Sequence, residues 1–133
     1  MTNGERADRL LREARQIAGE MKRALDAEAW NLATRRAQEA LELTIKALLN
    51  EMGVDYPKTH DPAPVFAQAV RTRGIEVDAD VLASLTILSR ELANIRSPAF
   101  YQETVLTDAQ ARDWVQRVDG VLRFAEDLLR RLR

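Results

Sequence analysis

Two residues in the stretch NIRSPAFYQE, residues 94–103, have side chains suited to binding a phosphate group. Arg96 can bind phosphate through paired hydrogen bonds, and the hydroxyl of Tyr101 can donate a further one. The two residues are separated by only four others, in a segment where proline interrupts a long apolar repeat. The alternative is a loop in which Phe100 and Tyr101 pack over one end of the fold and Arg96 caps the last helical carbonyls.

The only histidine, His60, lies in the segment YPKTHDPAP just before a predicted helix. The first N–H groups of a helix attract anions, so Lys58, Thr59 and His60 could add donors at a phosphate site. An exposed loop histidine beside a capping Asp61 is the plainer interpretation. Because the chain has one histidine and no cysteine, a His-rich metal site within one chain, Cys-ligated zinc and disulfides are excluded. We expect no metal and no cofactor.

A third set of polar residues occurs at helical spacing: Arg35, Glu39, Glu42 and Lys46. This spacing places all four on one face of a helix and allows an ion pair of opposite charges at each end. The face is either a solvated surface with two weak ion pairs or one wall of a polar cleft. In the second case Glu42 and Lys46 would belong to the site, with Lys46 meeting a phosphate.

The elements that must position these residues are helices. Apolar residues repeat at helical spacing, which predicts helices at about 4–26, 28–52, 62–73, 79–95 and 108–133. Capping and stop residues mark their ends. The expected N-caps are Thr2, Asp61, Asp78 and Thr107, the expected stops are Gly53 and Gly74, and the expected breaks are Pro57 and Pro98.

Two of these helices carry apolar faces that bear on the packing. The second has apolar residues outside its main stripe, so we expect it to contact two neighbours. The fourth should bury one face, formed by Val81, Leu82, Leu85, Leu88, Leu92 and Ile95. Four amphipathic helices with short connections predict an all-α fold, an antiparallel four-helix bundle with an additional short helix at one end. Residues 1–133 are expected to form one domain.

Composition narrows the classes of protein that remain. The formal net charge of −1 predicts no overall attraction to nucleic acid or anionic membranes, so any basic site must be local. No apolar run approaches the roughly 18 residues of a membrane span, and the first residues are too charged for a signal peptide. We therefore expect no membrane association and a cytoplasmic location.

The second helix and the stretch at residues 94–103 resemble segments of HEPN domains (higher eukaryotes and prokaryotes nucleotide-binding domains) of the prokaryotic stand-alone type. The residues that carry the resemblance are an early aromatic, a helix with the pattern A-x-x-x-A-Q-E-A-x-E-x-x-x-K-A-L, a glycine stop, a later histidine and the segment IRSPAFY. In this chain the matching residues are Trp30, Ala33, Ala37, Gln38, Glu39, Ala40, Glu42, Lys46, Ala47, Leu48, Gly53 and His60.

The resemblance implies a four-to-five-helix bundle that usually forms a homodimer. Many members are encoded beside a minimal nucleotidyltransferase in pairs resembling toxin and antitoxin, some are proposed to bind nucleotides, and others are metal-independent ribonucleases. The ribonucleases carry an arginine, four to six residues and a histidine. Here Tyr101 occupies the histidine position, and Glu103 stands where some toxins carry a modified tyrosine.

The tyrosine at position 101, where the ribonucleases of the family have a histidine, decides the functional prediction. RNA cleavage by the 2′-hydroxyl needs a proton acceptor near neutral pH, and a tyrosine, which ordinarily ionises near pH 10, is a poor one. We therefore predict a HEPN protein without a complete ribonuclease motif. It is expected to bind a nucleotide or another phosphate-bearing ligand through Arg96, Tyr101, Lys46, His60 and Glu42, and to pair with a minimal nucleotidyltransferase.

Two alternatives remain at this point. One is a metal-independent ribonuclease that could act as a toxin. It would cleave RNA with Arg96 and either Tyr101 or His60 as its catalytic residues. The other is a helical partner protein with no small ligand, in which Arg96 and Tyr101 only support folding. The aromatic residues Tyr56, Phe66, Phe100 and Tyr101 lie in or near connections, and exposed aromatic clusters often mark interfaces, which agrees with a homodimer.

Overall fold

The computed structural model describes residues 1–56, 58–101 and 104–133. Within these ranges the chain forms five α-helices: α1 (Asn3–Asp26), α2 (Trp30–Glu51), α3 (Ala63–Thr72), α4 (Ala79–Phe100) and α5 (Asp108–Leu132). The same ranges contain no β-strand. The prediction of an all-helical fold is confirmed. Apart from the end of α4, every helix boundary lies within two residues of its predicted place.

Most of the predicted capping residues act as expected. The hydroxyl of Thr2 accepts a hydrogen bond from the backbone N–H of Glu5 at 3.1 Å. Thr107 forms a reciprocal capping box with Gln110 at the start of α5, and the carboxylate of Asp78 accepts from the first N–H groups of α4. These bonds satisfy backbone donors that a helix leaves without internal partners.

The predicted end of α4 is wrong. The helix does not stop at residue 95 but continues through Arg96 and Pro98 to Phe100. A proline lacks the N–H that would bond four residues back, so Pro98 removes one hydrogen bond of the helix. The next turn closes nevertheless, because the N–H of Tyr101 donates to the carbonyl of Ser97 at 3.0 Å. Arg96 is therefore held on a helix rather than in a loop.

The predicted N-cap of α3 is also wrong. The cap position is occupied by Pro62, which makes no side-chain capping bond. The carboxylate of Asp61 instead accepts a hydrogen bond from the hydroxyl of Ser89 on α4 at 2.6 Å. A buried serine hydroxyl needs a partner, so this contact ties the segment before α3 to α4. Two positions named in the sequence analysis, Pro57 and Glu103, lie outside the described residues.

Contacts at one end of the bundle fix the directions of three helices. Arg133, directly after α5, binds Glu51 at the C-terminal end of α2 at 2.6 Å and Asp8 near the start of α1 at 2.8 Å. These two carboxylates raise the pKa of the Arg133 guanidinium. The C-terminal ends of α2 and α5 thus meet the N-terminal end of α1.

The opposite end gives the direction of α4. The side-chain amide of Asn31, at the start of α2, donates to the carbonyl of Thr104, shortly before α5, at 2.8 Å. The ring of Phe100, at the end of α4, lies beneath Arg35 near the start of α2. Helices α2 and α5 therefore run in one direction and α1 and α4 in the other. This is the predicted antiparallel four-helix bundle, with the short α3 against α2 and α4.

The centre of the bundle is α2, which contacts each of the other four helices. This confirms the expectation that α2 packs on more than one side. Two expectations for apolar residues are wrong: Val81, assigned to the buried face of α4, is 42 % exposed, and Phe66, counted among possible interface aromatics, is fully buried against Phe124. None of the helices in the described ranges is long and apolar enough to cross a membrane.

Candidate functional site

Helix α2 carries three polar residues, Gln38, Glu42 and Lys46, at successive intervals of four. This spacing places their side chains one above another on a single face. The face is covered: Gln38 is 2 % exposed, and the side chains of Glu42 and Lys46 are 16 % and 14 % exposed. Buried polar groups are stable only when they are hydrogen-bonded, so each of the three needs partners inside the protein.

Glu42 is at the centre of the resulting network. Its Oε1 accepts from Gln38 Nε2 at 2.9 Å and lies 2.8 Å from His60 Nδ1, while its Oε2 accepts from Lys46 Nζ at 2.8 Å. Burial by itself would raise the pKa of Glu42. The hydrogen bonds from Lys46, Gln38 and His60 together outweigh burial and hold the pKa below its usual value.

The ionised carboxylate of Glu42 determines which ring nitrogen of His60 carries the shared proton. Because a carboxylate oxygen only accepts hydrogen bonds, the proton in the contact with Glu42 belongs to His60 Nδ1. In a neutral ring the other nitrogen, Nε2, is then a proton acceptor. The His60 side chain is 55 % exposed, so this nitrogen is accessible from solvent. An acid that orients a histidine in this way is a common element of proton-transfer sites.

Arg96 joins the same network from α4. Its Nε donates to the side-chain oxygen of Gln38 at 3.1 Å. Gln38 therefore connects Arg96 to Glu42 on one side, and it also donates to the backbone carbonyl of His60 at 3.3 Å. No described hydrogen bond runs from Arg96 to a carbonyl of its own helix, so the capping alternative has no support among the described residues. The bond to Gln38 occupies Nε and leaves the two terminal nitrogens of the guanidinium for other partners.

Beside the network lies a cleft of about 140 Å³, lined by Arg35, Arg36, Glu39, Arg96 and Phe100. Three guanidinium groups and one carboxylate line this arginine cleft, which is thus locally positive in a chain of net charge −1. Arg36 binds Glu39 at 2.6 Å, so the predicted ion pair between Arg35 and Glu39 is wrong. Among the described residues, neither Arg35 nor Arg96 forms a salt bridge. Such a concentration of cations attracts anions.

The aromatic residues at the end of α4 form the outer side of this cleft. The guanidinium carbon of Arg35 lies 4.1 Å from the centre of the Phe100 ring, a cation–π contact. Tyr101 packs edge-on against Phe100 with ring centres 5.0 Å apart. Both side chains are exposed, Phe100 by 48 % and Tyr101 by 68 %. They do not cover the end of the bundle as a buried pair.

The structure brings four of the five predicted site residues into one network: Glu42, Lys46 and His60 by direct contact, and Arg96 through Gln38. Tyr101 is not part of it and reaches the arginine cleft only through Phe100. Lys46 is already neutralised by Glu42 and lies 5.3 Å from the Tyr56 ring centre, so it is poorly placed to meet an anion. Within the described ranges, no three His, Asp or Glu side chains form a group that could hold a metal ion.

The sequence analysis offered Arg35 as part of a cleft wall but missed Gln38, Arg36 and Phe100 as members of the site. Gln38 appeared only in the helix pattern, where a polar residue between alanines is compatible with a solvated face. Its burial depends on the position of α4, which helical spacing within α2 does not reveal. Arg35 was noted for charge pairing, but its contact with Phe100 joins residues of different helices.

The sequence also matches the model of a known protein family. The family model for the HEPN domain matches residues 7–128, nearly the whole chain. The chain belongs to the HEPN family. No curated protein and no solved structure gives a significant match. The matched range includes α2 and the arginine-bearing end of α4, so the network and the arginine cleft both lie within the HEPN domain.

The lowered pKa of Glu42 leads to a prediction about stability and pH. Since the ionised carboxylate is favoured in the folded protein, it stabilises the fold above the ordinary pKa of 4.5, and this contribution is lost as the pH falls through the folded-state pKa. Glu42→Gln should therefore be less stable than the unaltered protein above about pH 5, and the difference should shrink on acidification. Urea unfolding at a series of pH values measures this difference.

The control is Glu13→Gln, because Glu13 is an exposed glutamate on α1. It should change the free energy of unfolding by less than about 0.5 kcal/mol at any pH. A stability gap for Glu42→Gln that stays constant down to about pH 3 would show that the charge of Glu42 does not contribute to folding.

Proposed function

We propose that this HEPN protein binds a phosphate-bearing ligand, a nucleotide or a segment of RNA, at the arginine cleft. The observation that carries the proposal is that Arg35 and Arg96, neither of which forms a salt bridge among the described residues, line one cleft beside Arg36, which pairs with Glu39 and Glu20. An arginine fork matches the oxygens of a phosphate in geometry and charge. The resemblance to HEPN domains, some of which are proposed to bind nucleotides, agrees with this ligand class.

Within this proposal the residues have different tasks. Arg96 is the principal phosphate contact, because it lines the cleft and its Nε bond to Gln38 fixes the side chain without using its terminal nitrogens. Tyr101 is exposed and can donate a further hydrogen bond to the ligand, whereas His60 can do so only in its protonated form, because its Nδ1–H is bonded to Glu42. Glu42 and Lys46 bind one another and contribute by holding His60 and Gln38 in place. The exposed ring of Tyr101 is also suited to stacking on a base.

Arg96→Ala tests the ligand assignment. Hydrogen bonds to charged groups contribute about 1.5–3 kcal/mol, so the variant should bind ADP roughly ten- to hundred-fold more weakly by calorimetry at low salt. Binding by the unaltered protein should also weaken as salt is added, because exposed charges are screened. Equal affinities for the unaltered protein and Arg96→Ala would contradict the assignment.

Arg130→Ala is a matched control. Arg130 lies in the last turn of α5 and pairs with Asp127. Arg130 is close to Arg133, which contacts Glu51 at the C-terminal end of α2. At a helical rise of 1.5 Å per residue, Glu51 lies about 24 Å along α2 from Arg35 in the cleft. The control should therefore bind ADP like the unaltered protein. An equal loss in both variants would indicate only a general effect of positive charge.

We further propose that the chain forms a homodimer and pairs with a minimal nucleotidyltransferase encoded beside it. Support comes from exposed apolar side chains at the end of the bundle where α2 begins, since Phe100, Tyr101 and Val105 are 48 %, 68 % and 90 % exposed. Light scattering of the purified chain should give twice the mass of one chain, and addition of the transferase should give a larger complex. A one-chain mass at all concentrations would contradict the dimer, and separate elution would contradict the pairing.

A second function, metal-independent RNA cleavage, is supported by one observation, the contact between Glu42 and His60 at 2.8 Å. In this mechanism the Nε2 atom of His60 takes the proton of a 2′-hydroxyl, which attacks the adjacent phosphorus. Arg96 stabilises the charge that develops on the phosphate oxygens, and the leaving 5′-oxygen receives a proton from solvent. This assigns to His60 the role that the histidine after the arginine has in the ribonucleases of the family.

Cleavage of a labelled RNA pool in the presence of EDTA distinguishes the two functions. If the chain is a ribonuclease, His60→Gln should lower the rate about 10²- to 10⁴-fold, as loss of a general base does. Tyr101→Phe, which removes only a hydroxyl, should then leave most of the rate. The opposite pattern would assign catalysis to Tyr101. Absence of cleavage by a folded sample that binds ADP would leave the binding function alone.

A further inference from the structure

Gln38 is an uncharged side chain whose amide is bonded at both ends although the residue is only 2 % exposed. Its nitrogen donates to Glu42 Oε1 at 2.9 Å and to the carbonyl of His60 at 3.3 Å. Its oxygen accepts from Arg96 Nε at 3.1 Å. The amide thus lies between the acidic centre of the network and the arginine that lines the cleft.

The orientation of this amide is determined by its neighbours. The carboxylate of Glu42 and the carbonyl of His60 can only accept hydrogen bonds, so both require the NH₂ group of Gln38. Arg96 can only donate, so it requires the oxygen. Rotating the amide by a half turn would replace all three bonds with contacts between two acceptors or two donors. Gln38 therefore has one favourable orientation.

We propose that Gln38 is a positioning residue that directs Arg96 toward the ligand. This inference rests on the proposed function and deepens it by naming what orients the phosphate contact. Arg96 lines the arginine cleft, and with its Nε bonded to Gln38 the guanidinium is restrained while its two terminal nitrogens stay available for a ligand. An arginine that is already ordered loses less conformational entropy when it binds a phosphate, which increases affinity.

The same chain of contacts makes Arg96 depend on Glu42 without touching it. The carboxylate fixes the Gln38 amide, and the amide fixes Arg96. Lys46 and His60 bind the same carboxylate and so take part indirectly. Removal of Glu42 would take away one of the three bonds that hold the amide and would leave its orientation to the His60 carbonyl and Arg96 alone.

The test is a double-mutant cycle with Gln38→Met and Arg96→Ala, measured as the affinity for ADP. Methionine has nearly the same shape as glutamine but neither donates nor accepts at the end of its side chain. If Gln38 acts through Arg96, Gln38→Met should weaken binding about tenfold in the unaltered protein and have no further effect once Arg96 is alanine. Losses that add in the double variant would overturn the proposal.

A second measurement needs no ligand. In spectra of ¹⁵N-labelled protein, the Nε–H of Arg96 should exchange slowly with water, and Gln38→Met should accelerate that exchange. Gln68→Met, an exposed glutamine on α3, is the control and should change neither this signal nor the affinity. An Arg96 signal that is equally protected in Gln38→Met would overturn the proposal, whatever the effect on thermal stability.

These two measurements separate the inference from the function on which it rests. If the unaltered protein does not bind ADP, the proposed function fails, and the Arg96 signal still decides whether Gln38 orients the arginine. If it binds and only Arg96→Ala weakens binding, the function stands and the inference fails. Should Gln38→Met not fold, Gln38→Asn keeps the amide but shortens its reach, and the same loss of protection is expected.

Discussion

Gln38 and Glu42, on the covered face of α2, must find their hydrogen-bonding partners within the protein. This constraint follows from the position of α2, which contacts all four other helices. A buried amide or carboxylate without partners costs about 1–3 kcal/mol, a large share of the stability of a small domain. Gln38 and Glu42 can therefore remain in the bundle only if the segment with His60 and the end of α4 supply donors and acceptors.

The functional geometry is a consequence of meeting this requirement. Satisfying Glu42 draws Lys46 and His60 together, and satisfying Gln38 draws in Arg96. The continuation of α4 through Pro98 brings Phe100 beneath Arg35 and closes one side of the arginine cleft. Stability and the proposed binding thus use the same hydrogen bonds. The proposed ligand enters where the network leaves guanidinium nitrogens without a carboxylate partner among the described residues.

The fold could be predicted from the sequence because helical spacing and capping residues are local signals. The end of α4 was misjudged because Pro98 reads as a stop, whereas it removes a single hydrogen bond close to a helix terminus. Arg96, Glu42, Lys46 and His60 could be named as candidates from residue type. Their connection could not, since Gln38 and Arg96 are 58 residues apart and meet only through helix packing.

A crystal structure of the chain with bound ADP is the most direct test of whether the buried network orders Arg96 for a phosphate. We expect a phosphate oxygen on the terminal nitrogens of Arg96, with the Arg96 Nε bond to Gln38 and the Gln38 bond to Glu42 both intact. A phosphate bound elsewhere on the bundle, or an Arg96 that turns away from Gln38 to reach it, would contradict the central claim that the buried network holds this arginine ready for its ligand.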